Sequence, residues 1–180
     1  KFNWNGSLKT AQWVPNTGGG AYPVFCYDEE TQFLFDQLND EKRDLYFEEY
    51  PDREEDYSGD EKTQYDRYAG FLMDEKLNQA AAYRLEAALV NGYSGDAIPG
   101  EGTLKDYLGK ISYRKNSSCR ELYLRGREDA DDAFDRLIGK TQDKYDSSGK
   151  RKDSLDYYRR IGMAHAEKDG KHYFMVILMR

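Results

Sequence analysis

The most apolar stretch of this chain comes last, in RIGMAHAEKDGKHYFMVILMR, residues 160–180. Its centre is Asp169-Gly170, a dipeptide suited to a two-residue hairpin turn. A turn there sets Ile161 opposite Leu178, Met163 opposite Val176, His165 opposite Phe174 and Glu167 opposite His172 on one side of the pleat. The other side carries Gly162, Ala164 and Ala166 against Ile177, Met175 and Tyr173. Both sides are apolar, and one has a floor of small residues. Such a strand pair needs a layer above and a layer below. The pattern therefore predicts an α+β fold, a three-layer α-β-α sandwich whose small central antiparallel sheet ends in a C-terminal hairpin.

Helical spacing supplies the layers. Leu34, Leu38 and Leu45, with Phe35, give a stripe over residues 29–45. The clearest helix spans 74–91, with Asp74 at its N-cap, Leu77, Ala80, Ala81, Arg84, Leu85 and Ala88 on one stripe, and Gly92 at its end. A short helix is expected at 103–109 and strands at 110–114 and 120–125. A third long helix is expected at 127–138, opened by Glu128 and Asp129 and closed by Gly139. Residues 140–154 read as polar loop. Residues 1–25 read as an N-terminal arm, with NTGGGAYP as a flexible connector before a domain at 26–180. Residues 46–68 read as an acidic, Tyr-rich surface insertion broken by Pro51 and Gly59.

Composition narrows the function classes. A length of 180 residues suits one domain. A formal net charge of −7 without a basic block argues against nucleic-acid binding. No apolar stretch reaches the roughly 20 residues of a membrane span. Leu, Ile, Val and Phe are sparse, but sixteen tyrosines can bury large rings while keeping their hydroxyls wet. The chain starts at Lys1 without Met, as after removal of an export signal or after trimming. Cys26 and Cys119 are either one bridge, stabilising by roughly 4–5 kcal/mol in the chain-entropy model, or two separate buried thiols.

The order of these pieces resembles the CAP superfamily, the SCP-like domain of cysteine-rich secretory proteins, antigen 5 and pathogenesis-related 1 proteins, in its bacterial extracellular form. FDQLNDEKRDL resembles the family's first helix, with Lys42 where arginine is usual. LMDEKLNQAAAYRLEAAL resembles the second. RELYLRGREDADDAFDRLIGK resembles the segment that carries the motif glutamate, here Glu121, and the last residues resemble the closing hairpin. The resemblance implies a cleft formed by Tyr93, Ser94, Gly95, Asp96, Glu121 and Asp143. In the family two histidines of that cleft help to hold a divalent metal. Here Gly95, in YSGDAIPG, and Asp143, in LIGKTQD, stand at those positions, so no metal and no other cofactor are expected.

The remaining chemistry is thin. His165, His172 and Glu167 lie close on the hairpin, either as zinc ligands or as a cross-strand pair. Cys26 and His165 have a spacing not unlike that of thiol proteases, but VFCYDEE surrounds the sulfur with acid, which disfavours the thiolate. The expectation is a secreted or cell-surface, non-catalytic binding module for a glycan, a lipid-like molecule or a protein. The alternative from another class is a metal-independent hydrolase using Glu121 and Asp143 as paired acids. A third is a purely structural surface-protein segment. The tyrosines of 46–68 extend the cleft near Tyr93 in the binding reading, or decorate the surface.

Overall fold

The computed structural model describes residues 12–13, 22–53, 69–113, 118–141, 147–149 and 154–180. The hairpin forms as the pattern requires, from β7 (Arg160–Lys168) and β8 (Lys171–Met179). Asp169 and Gly170 have φ of 54° and 70°, the left-handed pair that a tight hairpin turn demands. Ile161 faces Leu178, Met163 faces Val176, His165 faces Phe174 and Glu167 faces His172.

Four further strands extend this pair among the described residues. β6 (Cys119–Arg127) lies antiparallel to β8. β2 (Val24–Phe25) lies antiparallel to β7, and β1 (Gln12–Trp13) to β2. β3 (Leu72–Met73) joins β7 in parallel, so the sheet is mixed where a wholly antiparallel one was expected. A separate pair, β4 (Ala97–Ile98) and β5 (Gly102–Thr103), braces the loop after the second helix.

Helices cover both faces of the sheet. On one side α1 (Glu29–Glu49) and α4 (Ala130–Thr141) pack Leu34, Phe35, Leu38, Ala133 and Leu137 against Met163, Phe174 and Val176. On the other, α2 (Glu75–Asn91) and α3 (Leu104–Lys110) pack Leu77, Ala80, Ala81, Leu85 and Leu108 against Ala164, Ala166, Met175 and Ile177. Each large apolar side chain so buried contributes roughly 1.5–3 kcal/mol. The architecture is the α+β three-layer sandwich that the doubly apolar hairpin required.

Several boundaries differ from the sequence reading. α1 runs on to Glu49, because Tyr46 and Phe47 stay buried on its inner face; the 3-10 turn Pro51–Arg53 follows. The expected insertion at 46–68 therefore begins inside a helix, and its residues 54–68 lie outside the described ones. Val24 and Phe25, expected in the arm, are sheet residues, and Val24 is fully buried. Residues 110–113 end α3 and turn, without forming the expected strand. α4 starts later than expected, Asp129 accepts from the Asp132 N–H as an N-cap would, and Gly139 lies within the helix.

At Gly162 the helix layer comes down onto the strand backbone. A Cβ on Gly162 would come within 2.2 Å of the Leu77 carbonyl carbon and 2.6 Å of the Asn78 nitrogen. Only a residue without a side chain lets α2 approach β7 so closely. Asn78 then ties the two together. Its Oδ1 accepts from the Met163 N–H at 2.9 Å, at a point of β7 between the residues paired to β3 and the one paired to β2. Its Nδ2 donates to the Tyr27 hydroxyl at 2.9 Å, so this fully buried amide is used on both sides. We expect Gly162→Ala to destabilise the fold by at least 1–3 kcal/mol, roughly the cost of overpacking a filled core. Urea unfolding measures it, and an unchanged midpoint would show that α2 does not sit where described.

Candidate functional site

One cavity of about 550 Å³ opens beside β6. Its wall is built by Tyr93, Gly95 and Asp96 and by residues 103–105 of the loop and helix after α2, by Cys119–Tyr123 of β6, and by Lys140 in the last turn of α4. Of the residues expected in a cleft, Tyr93, Gly95, Asp96 and Glu121 share this wall. Ser94 is used by its backbone, which exchanges hydrogen bonds with Ala97 at 3.0 and 3.2 Å to close a turn. Asp143 lies outside the described residues.

The turn accounts for the glycine at position 95. Gly95 has φ 61°, a left-handed conformation in which a side chain is strained. A histidine there would have to pay that strain, so the local backbone selects glycine.

Glu121 is held from behind. Arg84, fully buried on α2, meets it through Nε to Oε2 and through Nη2 to Oε1 at 2.8 Å. The Nη2 group also donates to the Gly102 carbonyl at 3.3 Å. The Tyr93 hydroxyl donates to Oε1 at 2.9 Å. Burial first, then the charge of Glu121, holds the Tyr93 phenol well above its ordinary range, so it remains a donor. A two-point arginine contact of this kind neutralises the carboxylate and fixes its plane. Arg84 was legible as an anomaly: a charged residue on an alanine stripe must find a partner or stay out of the core.

The metal ligand set that the resemblance would require does not fit these residues. Gly95 offers no donor atom, Glu121 is occupied by Arg84, and Lys105, Arg120 and Lys140 stand on the same wall. Among the described residues no group of three or more His, Cys, Asp or Glu is placed to hold a metal ion.

A second polar arrangement lies at the opposite side of the sheet. Asp28, the N-cap of α1, accepts from Nδ1 of His165 at 2.5 Å, and Nε2 of His165 meets Nδ1 of His172 at 2.8 Å. Because a carboxylate only accepts, the network puts a proton on Nδ1 of His165, and its Nε2 is paired with His172. Both nitrogens of His165 are thereby used, which leaves it no lone pair for zinc. The residue that organises this chain, Asp28, was missed, because 137 positions separate it from His165.

The cysteines are free. Cys26 directly follows β2 and Cys119 opens β6, strands three spacings apart, and at about 4.8 Å per spacing the two exceed the roughly 7 Å limit of a disulfide. Cys26 packs on the α2 side and donates weakly to the Asn78 carbonyl, whereas its neighbour Phe25 pairs with His165, whose ring faces the other side. Burial, then the charges of Glu75 and Asp28, push its thiol up to about 12. The thiol–imidazole pair that nucleophilic catalysis needs is not made.

No protein-family model, curated protein or solved structure matches this chain.

Burial raises the pKa of Asp28, but hydrogen bonds from His165 and Thr31, together with the charge of a protonated His165, outweigh it and leave the group below its ordinary 3.8. A lowered carboxylate stabilises the fold above its unfolded value, and that stability is lost as pH falls through the folded one. Asp28→Asn keeps a competent N-cap but lacks this charge. Its stability deficit against the parent should therefore be largest above about pH 4 and shrink as the solution is acidified further. Urea midpoints across that range test this; a deficit independent of pH would contradict the account.

Proposed function

We propose that this chain is a CAP-like domain of the extracellular bacterial type, acting as a non-catalytic binding module through the cavity beside β6. The family reading draws on the motif order and on the agreement between that order and a hairpin sandwiched by paired helices. Its secreted or cell-surface placement rests on the family resemblance alone. The ligand classes in view are a glycan, a lipid-like molecule or a protein, and among the described residues no helix is long and apolar enough to cross a membrane.

One observation carries the non-catalytic reading: Glu121 is consumed by Arg84 and Tyr93. A general acid or base must exchange a proton with substrate. An oxygen pair locked by a buried guanidinium and a phenol serves instead to hold the cavity wall in place. The paired-acid hydrolase would need Glu121 free of that clamp.

The test is turnover. Fluorogenic glycoside, ester and phosphate substrates incubated with the protein should release no product above the level seen with Glu121→Gln. Hydrolysis that Glu121→Gln abolishes, with the variant still folded, would replace the binding module by the hydrolase.

A further inference from the structure

The cavity lies along the free edge of the sheet. β6 ends the strand order, and among the described residues no strand pairs with its outer side. Consecutive residues of β6, Cys119–Tyr123, line the cavity, although neighbours on a strand point to opposite faces. Cys119, Glu121 and Tyr123 face α2, where Glu121 meets Arg84 and the other two pack against the core of that layer. Leu122 faces α1 and α4, and Arg120 reaches the Lys140 carbonyl of α4 at 3.1 Å. A concavity that both sets share is centred on the strand edge, between the two helical layers.

The backbone of that edge is open. The Arg180 N–H donates to the Ser118 carbonyl at 3.0 Å. Antiparallel pairing alternates from there, so Arg120 and Leu122 turn their N–H and C=O groups to β8. Cys119, Glu121 and Tyr123 turn theirs outward. The hairpin agrees with this phase. Lys168 and Lys171 close the two-residue turn as a bonded pair, so alternate residues of β8 bond β7 and the rest bond β6. Among the described residues the outward groups of Cys119, Glu121 and Tyr123 make no hydrogen bond. The ladder stays regular from Cys119 to Leu124, and its irregularity falls between Leu124 and Arg127. The open stretch is thus an undistorted template about 14 Å long.

The walls decide what can enter. Tyr93, Asp96 and Lys105 stand on one side and Lys140 on the other. A second copy would bring its own edge between the same two helical layers, and those layers would meet the walls first. A single extended segment brings none. Recessing an edge in this way guards it against sheet-to-sheet association. The two flanks also differ in chemistry. Toward α2, Tyr93 and Tyr123 present rings with centroids 5.0 Å apart, and Lys105 and Asp96 are of opposite sign. Toward α4, the charge offered to a ligand is that of Lys140, since Arg120 is already engaged.

We infer that the cavity takes an extended peptide segment of a partner protein, which adds to β6 as one more strand and bonds the outward N–H and C=O groups of Cys119, Glu121 and Tyr123. Side chains of such a strand alternate. One set lies on the tyrosines and is apolar; the other meets Lys140 and is acidic. This rests on the binding reading above and selects the protein from its ligand classes.

The probe is a blocked heptapeptide of alternating glutamate and valine, titrated by calorimetry and located by amide hydrogen exchange. It should bind, and the Cys119, Glu121 and Tyr123 amides should then exchange about tenfold more slowly or slower still. N-methylation of one alternate set of its residues should weaken binding about tenfold or more, and of the other set should not, because only one set bonds the edge. Lysines in place of its glutamates should weaken binding about threefold or more, and Lys140→Glu should remove that preference while the melting temperature holds. No binding, binding that leaves the three amides unprotected, or equal loss from both methylated sets overturns the inference. Protection of these amides in a protein that sediments as a dimer without peptide also overturns it, since a second copy then occupies the edge. Octyl glucoside is titrated alongside. If it shifts the Tyr93 and Tyr123 resonances and the peptide does not bind, the added strand is overturned and the binding module stands. Cleavage of the peptide would instead overturn the non-catalytic reading.

Discussion

The structure depends on one close approach, the backbone of α2 resting on Gly162 of β7. Leu77 makes that contact, and Arg84 lies two helical turns further on, about 10 Å along the axis. On the sheet, Gly162, Ile177 and Glu121 form one row across β7, β8 and β6. Two strand spacings again make about 10 Å. An anchor at one end of the row therefore brings the guanidinium to the carboxylate at the other. A larger residue at 162 would lift the helix and separate the pair.

The pair governs the cavity in turn. Burying a guanidinium and a carboxylate costs several kcal/mol for each ion, and good geometry with added hydrogen bonds is what offsets it. Here the additions are the Tyr93 hydroxyl on Glu121 and the Gly102 carbonyl on Arg84. They draw the loop after α2 against β6, so the bonds that hold the two ions also shape the wall, while the buried Arg84 Nη1 is left without a partner. Glu121 contributes shape in place of charge.

The features legible in the sequence were those written in local patterns. The hairpin register followed from Asp169-Gly170 and a period of two, residue for residue. Asp74 and Gly92 marked α2, because capping chemistry is local. Boundaries decided by tertiary contact were not legible. Nothing near Leu45 says that Tyr46 and Phe47 will find a buried surface, and Gly139 had only its weak helix propensity to speak for a stop. The parallel contact of β3 and the entry of Val24 into the core likewise depend on distant partners. At the site, Tyr93, Gly95, Asp96 and Glu121 came from motif positions and do converge. Lys105, Arg120 and Lys140 escaped notice because a surface cation carries no periodicity; only the fold brings the three to one wall.

The most direct test of the central claim is a double-mutant cycle in urea between Arg84→Met and Glu121→Gln. If α2 delivers the guanidinium to this carboxylate, each single change leaves a buried charge or polar group unmatched. The double variant should then recover roughly 2 kcal/mol or more of the summed loss. Losses that simply add, to within about 0.5 kcal/mol, would contradict the account, because the two residues would not be partners.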